Sequence, residues 1–225
     1  MRGARNRGPL TLPREEIVLA TRSAGKVREL IPMLAAAGFR AVTLDAVGVV
    51  ESSAEEGIEA FDTFEENSLA KARWYSARAG GRIVLADDSG LSVDALGGAP
   101  GVRSKRWAAT PGVSGAALDA ANNAKLVAET AAHANRAARY VCVAALGWPD
   151  GDLTARGECA GVIVDRPRGS GGFGYDPFFL SDELGVTFGE ATTAAKERIS
   201  HRGRAVRAVL ALFAARASRE RRANR

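Results

Sequence analysis

Two cysteines, Cys142 and Cys159, are all the thiols in a chain of 225 residues. Two thiols at no motif spacing exclude a disulfide scaffold and suggest a reducing compartment, with both buried rather than reactive. No apolar run approaches the roughly 18 residues that a membrane span needs. The N-terminus has arginines but no apolar core of a secretory signal, because Leu10–Leu12 is cut short by Pro13 and by Glu15 and Glu16. A cytoplasmic protein without membrane contact is the expectation. Internal repeats and long linkers are missing too. Histidine is as scarce as cysteine: His133 lies in an alanine-rich stretch with no partner in view, which leaves His201.

What is present is an ordinary globular composition, 46% apolar and 25% charged, which excludes disorder for most of the chain. The formal charge of +5 invites a nucleic-acid reading, but its position argues against one. Residues 1–14 and residues 216–225 each carry a net +4, so the body between them is slightly acidic. These basic ends read as solvated tails around one domain spanning 15–215.

The early half alternates strand and helix. Ile17–Ala20 reads as a buried strand. The helix that follows, from Lys26 to Gly38, should kink or stop early at Pro32. Ala41–Leu44 is a second strand, Glu51–Glu59 an acidic loop, and Thr63–Ala79 a helix ended by Gly80-Gly81. Ile83–Ala86 repeats the first strand's character and runs into Asp87-Asp88-Ser89-Gly90, with a possible short strand over Leu91–Ala95. Ala116–Ala132 is helical. Tyr140–Leu146 and Gly157–Val164 pair as a hairpin through Pro149-Asp150-Gly151. Phe178–Leu180 is a further short strand, and Thr193–Ile199 and Arg202–Ala217 are helices. The fold class is therefore α/β, with a mixed sheet, flanking helices and two lobes.

Five places could carry chemistry. The loop Thr21-Arg22-Ser23-Ala24-Gly25-Lys26 joins a strand to a helix, so backbone N–H groups, the positive helix end and a mobile cation meet at one point, which suits phosphate. It is not a P-loop, since G-x-x-x-x-G-K-[ST] is absent; a plain turn with a solvated lysine is the bland reading. Asp87-Asp88-Ser89-Gly90 ends an apolar strand, where one carboxylate can face a cleft and suit Mg2+ while the other caps a turn; a simple turn competes with this. Glu51, Glu55, Glu56 and Glu59 crowd one loop, and Lys71 on the next helix points to a cleft or to solvent. Gly169–Gly174 with Phe173, then Tyr175 and Asp176, offers an aromatic between two glycines, fit to stack on a flat base or to tuck into a hairpin tip. Lys196 and His201 would sit about 140° apart on one helix. They converge only if the helix breaks at Ser200, a good N-cap, and so place two donors with Arg202 at a helix start.

Together and in this order, these segments resemble one family: the non-standard purine nucleoside triphosphate pyrophosphatases, also called inosine triphosphatases or XTP/dITP diphosphatases. The matching pieces are LATRSAGKVREL (Leu19–Leu30), TFEENSLAKAR (Thr63–Arg73), ADDSGLSVDALGGAPGV (Ala86–Val102), GSGGFGYDPFF (Gly169–Phe179) and KERISHRG (Lys196–Gly203). The resemblance spans about residues 16–215. It implies an elongated two-lobed fold around a mixed sheet, an active site in the cleft, a homodimer, and hydrolysis of ITP, dITP or XTP to the monophosphate and pyrophosphate with Mg2+. Position by position, it implies that Thr21, Arg22, Ser23, Ala24, Gly25 and Lys26 hold the triphosphate. Asp88 ligates the metal and serves the attacking water as base, with Glu55 or Glu56 at the acidic metal position. Lys71 reaches the phosphates and Ser89 touches substrate. Phe173, Gly174, Tyr175 and Asp176 hold base and sugar, and Lys196, His201 and Arg202 meet the base edge.

Chemistry is consistent with those roles. Hydrolysis at the α-phosphorus must bring an oxyanion against a polyanionic chain, so cations are needed, and a nearby carboxylate can take the proton. Donors around C6 accept hypoxanthine or xanthine, whereas adenine would leave them unpaired at about 1–3 kcal/mol each. One departure is Ser23, where the family pattern [ST]-x-N-x-x-K has asparagine; it should weaken phosphate holding by about 1 kcal/mol. Two other readings compete: a related pyrophosphatase of shifted base preference, and a non-catalytic nucleotide or nucleic-acid binder working through its arginine tails.

Overall fold

The computed structural model describes residues 16–108 and 112–223. The basic segment 1–14 lies outside them. Eleven regular elements follow in chain order: β1 (Glu16–Leu19), α1 (Ala24–Ala36), β2 (Arg40–Thr43), α2 (Phe64–Arg78), β3 (Val84–Val93), α3 (Gly115–Thr130), β4 (Ala137–Trp148), β5 (Gly151–Ile163), β6 (Phe179–Ser181), α4 (Thr193–Ile199) and α5 (His201–Ala223). The strands form one mixed sheet of order β2-β1-β3-β4-β5-β6. β2, β1 and β3 are parallel, and β3 to β6 are antiparallel. The split follows from the connections: helices α1 and α2 carry the chain over between parallel strands, while a tight turn after Trp148 makes β4–β5 a hairpin.

β3 and β4 each contribute to several cores. Near the parallel half, Leu85, Cys142, Ala144 and Leu146 pack on α1 and α5. Val84, Ala86 and Ala145, on the opposite face, pack on α2. Farther along, Leu91, Val93, Tyr140, Cys159 and Ile163 join Phe179 and Phe188 in a separate cluster. The polar stretch Asp87–Gly90 lies between these cores, at the point on β3 where one apolar surface ends and the next begins.

Three expectations change. Asp87–Gly90 is not a turn. β3 is one ten-residue strand paired throughout with β4, because the ladder satisfies every backbone group that a turn would leave over. Gly90 is needed for close approach instead, since a Cβ there would lie 2.2 Å from the Gly101 carbonyl oxygen. α1 passes through Pro32 and runs to Ala36; Pro32 faces solvent, and so does Arg28, whose carbonyl loses its helical donor. α5 does not stop at Ala217 but continues to Ala223, so most of the basic C-terminal segment is helix, with Arg216 paired to Glu220 one turn on.

Candidate active site

The β1–α1 connection forms the first wall. Ser23 has extended backbone and caps α1, its Oγ accepting from the Lys26 amide, while Thr21 Oγ1 accepts from the Ser23 amide at 3.2 Å. No acid occupies the first turn of α1, so its positive end is left uncompensated. Gly25 is buried beneath Phe173: a Cβ at position 25 would stand 2.7 Å from that ring. The loop thus brings the helix start and the aromatic of the Gly-rich segment together.

β3 supplies the floor. Its pleat sends Asp87 and Asp88 to opposite faces. Asp87 Oδ2 is paired with Lys26 Nζ at 3.0 Å and accepts from Arg202 Nε at 3.1 Å and Ser89 Oγ at 3.2 Å; its Oδ1, fully buried, has no partner. Burial raises the Asp87 carboxyl, but the charges of Lys26, Arg202 and Lys71 outweigh it and hold the group well below the usual carboxylate range. Asp88 is met by neutral donors, Asn67 Nδ2 at 3.0 Å and the Ser89 amide at 3.0 Å. Burial dominates there, and its pKa is raised. Lys71 Nζ and Lys26 Nζ both reach the carbonyl oxygen of Asp87, at 2.9 and 3.4 Å. Two ammonium groups therefore flank the peptide between the two aspartates.

The far wall is the α4–α5 junction. The helix does break at Ser200, which is extended and whose Oγ accepts from the Gly203 amide. Lys196 and Arg202 then face the same acid, Glu29 of α1: Lys196 Nζ at 2.7 Å from Oε1, and Arg202 Nη1 on Oε2. Lys196 also binds Asp176 Oδ2 at 2.6 Å. These carboxylates supply the negative partners that donors at a helix start require. Arg202 Nη2 donates to Ser89 Oγ at 2.8 Å. His201 is buried against Tyr140, ring on ring at 4.5 Å, with Nδ1 unpaired; burial, then Arg202 and Lys196, push its pKa well down. Within the Gly-rich segment, Asp176 accepts from the Phe173 amide at 2.8 Å and fixes that turn. Phe173 lies near both cations, 5.2 Å from Lys196 Nζ and 5.7 Å from the Arg202 guanidinium. The Tyr175 side chain turns into the core, its hydroxyl donating to the Ser104 carbonyl at 2.8 Å, so it supports the loop rather than lining the hollow. Gly174 is anchored through its backbone by Asp119 and Asn123.

The model of the Ham1 family matches residues 17–212 of this chain. The chain belongs to the Ham1 family. It is 46% identical over 193 residues to the dITP/XTP pyrophosphatase of Ralstonia nicotianae, covering 84% of this chain and 92% of that protein. It is 47% identical over 209 residues to the dITP/XTP pyrophosphatase of Nocardia farcinica, covering 90% and 97%. Among solved structures, a HAM1 protein from Coxiella burnetii superposes with a TM-score of 0.74 at 34% identity, over 89% of this chain and 98% of that one. The Ham1 protein of Staphylococcus aureus gives 0.73 at 31%, over 90% and 100%.

Two of the expected site residues of this Ham1-family chain are paired with each other at the acidic loop. Arg22 turns to that loop: its Nε and Nη2 clasp both oxygens of Glu55, at 2.9 and 2.7 Å. Glu55 is therefore occupied by an arginine, and Glu56 is exposed. The loop acid that turns inward is Glu59, paired with Lys71 and felt by Asp88. Burial raises the Glu59 carboxyl, but Lys71 outweighs it and the net shift is down. Glu29 and Asn67 are the residues of this cluster that the sequence reading leaves out. Spacing carries a signal for both: Glu29 is three residues past Lys26 on α1, and Asn67 four before Lys71 on α2, so each pair shares a face. Nothing in the order of residues sets Glu59 apart from Glu51, Glu55 and Glu56, because a loop has no period to read.

Proposed function

We propose that the chain hydrolyses non-standard purine nucleoside triphosphates, with dITP, ITP and XTP as substrates, to the monophosphate and pyrophosphate, using Mg2+. The observation that carries this reading is the meeting of Lys26, Lys71 and Asp88 beside the uncompensated start of α1. The names of the relatives support it.

The residues present fit a hard divalent cation. Asp88 has lone pairs left over after two neutral donors, and Glu59 stands across Lys71 from it. Among the described residues no three or more His, Cys, Asp or Glu side chains are grouped so that they could hold a metal ion by themselves, and Mg2+ commonly takes one or two carboxylates with substrate phosphates completing its shell. Electrostatics asks for such an ion. Lys26, Lys71, Lys196 and Arg202 already face Asp87, Asp88, Glu29, Glu59 and Asp176, so the hollow has no surplus positive charge to set against the triphosphate. When bound, the metal would neutralise developing charge on the phosphates and acidify a water.

In this reading the start of α1 and Lys26 hold phosphate oxygens, and Lys71 bears on the group under attack. Asp88, whose carboxyl burial has made more basic than usual, takes the proton of the attacking water. Phe173 lies against the base, while Arg202 and His201 offer donors to the oxygen at C6. Ser89 is turned toward Arg202 and orients it. Pairing of two copies and a cytoplasmic setting belong to the same proposal. For the described residues, what is established is that no helix is long and apolar enough to cross a membrane.

Pyrophosphate release from a panel of nucleoside triphosphates, with and without Mg2+, tests the reading. Turnover of dITP, ITP and XTP well above ATP is expected, with none after chelation. Equal turnover of ATP, or full activity without metal, would refute it. Sedimentation of the purified chain tests the pairing; a monomer at micromolar concentration would refute that part.

A further inference from the structure

We propose that Arg22 and Glu55 form a latch that holds residues 45–59 against the phosphate loop and so sets where Glu59 stands. Arg22 is then a positioning residue and not a phosphate ligand. The inference deepens the function proposed above and rests on it.

Residues 44–63 contain no strand and no α-helix, only two three-residue turns, Asp45–Val47 and Ser53–Glu55. Their placement depends on side chains. The Arg22 guanidinium reaches three of their positions. It takes both Glu55 oxygens in a fork, donates from Nη2 to the Val49 carbonyl at 3.1 Å, and donates from Nη1 to Asp45 Oδ1 at 3.1 Å. Bidentate pairing of this kind fixes orientation as well as distance. Both partners are largely sheltered, with side-chain exposures of 22% and 15%, so solvent weakens the pair less than at an open surface.

The latch has a geometric route to Glu59. The Tyr75 hydroxyl is near enough to Glu55 to help hold its carboxyl below the usual range, and Glu59 pairs with Lys71. Tyr75 and Lys71 are one turn apart on α2, and Glu55 and Glu59 are four residues apart on the loop. The loop therefore lies along α2 on two rungs, with Ile58 buried between them. Releasing the upstream rung leaves Glu59 held by Lys71 and by Arg106, which donates to its carbonyl at 3.1 Å, and leaves the loop seated on Val49 and Ile58. On its other side a cavity of about 570 Å3 opens beside the latch, bordered by Thr21, Arg22, Leu44 and Val49.

The test compares Arg22→Met, which keeps the aliphatic stem, with Glu55→Gln, which keeps size and an acceptor. In the metal-free chain, both should speed amide hydrogen exchange across 45–59 by about tenfold, with β3 and β4 unchanged. Both should raise the Mg2+ concentration for half-maximal pyrophosphate release by about tenfold, since orienting partners of metal ligands act on that scale. The double variant should be no worse than either single one, and the exchanged pair R22E/E55R should recover part of the loss. A raised KM for the triphosphate at saturating Mg2+ in Arg22→Met alone would make Arg22 a phosphate ligand and overturn the proposal. Unchanged exchange in both variants would do the same. Should the wild-type chain release no pyrophosphate at all, the proposed function fails, and the exchange measurement still decides the latch.

Discussion

Asp87 and Asp88 are adjacent on one strand, yet one faces α1 and α5 and the other faces α2. The first is ringed by cations and locked in its charged form. The second is met by an amide side chain and a backbone N–H, and burial makes it a stronger base. The difference teaches how one motif divides its labour. A buried carboxylate whose charge is already matched holds structure together, while one left partly unmatched is available to a proton or a metal.

Removing the available acid should have the largest effect. Asp88→Asn is expected to lower kcat for dITP by about 10³-fold, roughly 4 kcal/mol, with an unchanged circular dichroism spectrum. Loss of the folded spectrum would show that Asp88, too, is structural. Asp87→Asn should reverse the pattern. It takes from Lys26 its paired carboxylate and leaves Arg202 with Glu29 alone, and should destabilise the fold by about 3 kcal/mol in urea titration. A fully stable Asp87→Asn variant would contradict the division.

Acid sharpens the same contrast. The Asp87 carboxyl is lowered in the folded chain, so its stabilisation is present above its unfolded pKa of about 3.9 and fades as pH falls below that toward the depressed folded value. Urea midpoints should therefore drop on acidification through that region in the wild type, and drop less in Asp87→Asn. Parallel curves would remove Asp87 from the account.

Smaller effects are expected at the β1–α1 loop. Gly25→Ala forces its methyl against Phe173 and should raise KM for dITP by about tenfold, near 1.4 kcal/mol, through displacement of that ring. No change would mean that the ring moves aside freely. Ser23→Asn should strengthen phosphate holding by about 1 kcal/mol, a gain of roughly fivefold in kcat/KM, while still capping α1. An unchanged kcat/KM would make the serine an equal substitute.

Most of the residues that the fold brings together around Asp87 and Asp88 stand in sequence motifs, and the break at Ser200 was legible because a capping serine stood between two helical stretches. What misled were features whose meaning depends on contact. Asp87–Gly90 carries turn-forming residues, but antiparallel pairing over ten positions overrode local preference. Arg22 and Glu55 looked like a phosphate ligand and a metal ligand until each was found in the other's grasp. Alternation along a strand ensures that neighbouring aspartates part company, whatever the fold.

The residues themselves determined the helices and strands, the family likeness, and the convergence of a cation-bearing loop with an acid-bearing strand, since period, caps and glycines act over a few positions. Which aspartate is neutralised, which glutamate of the loop turns inward, and where Glu29 finds its two cations were decided only when α1, α2 and α5 closed over β3. Charge partners are chosen by distance through space, and a loop without a repeat leaves no trace of that distance in its order of residues.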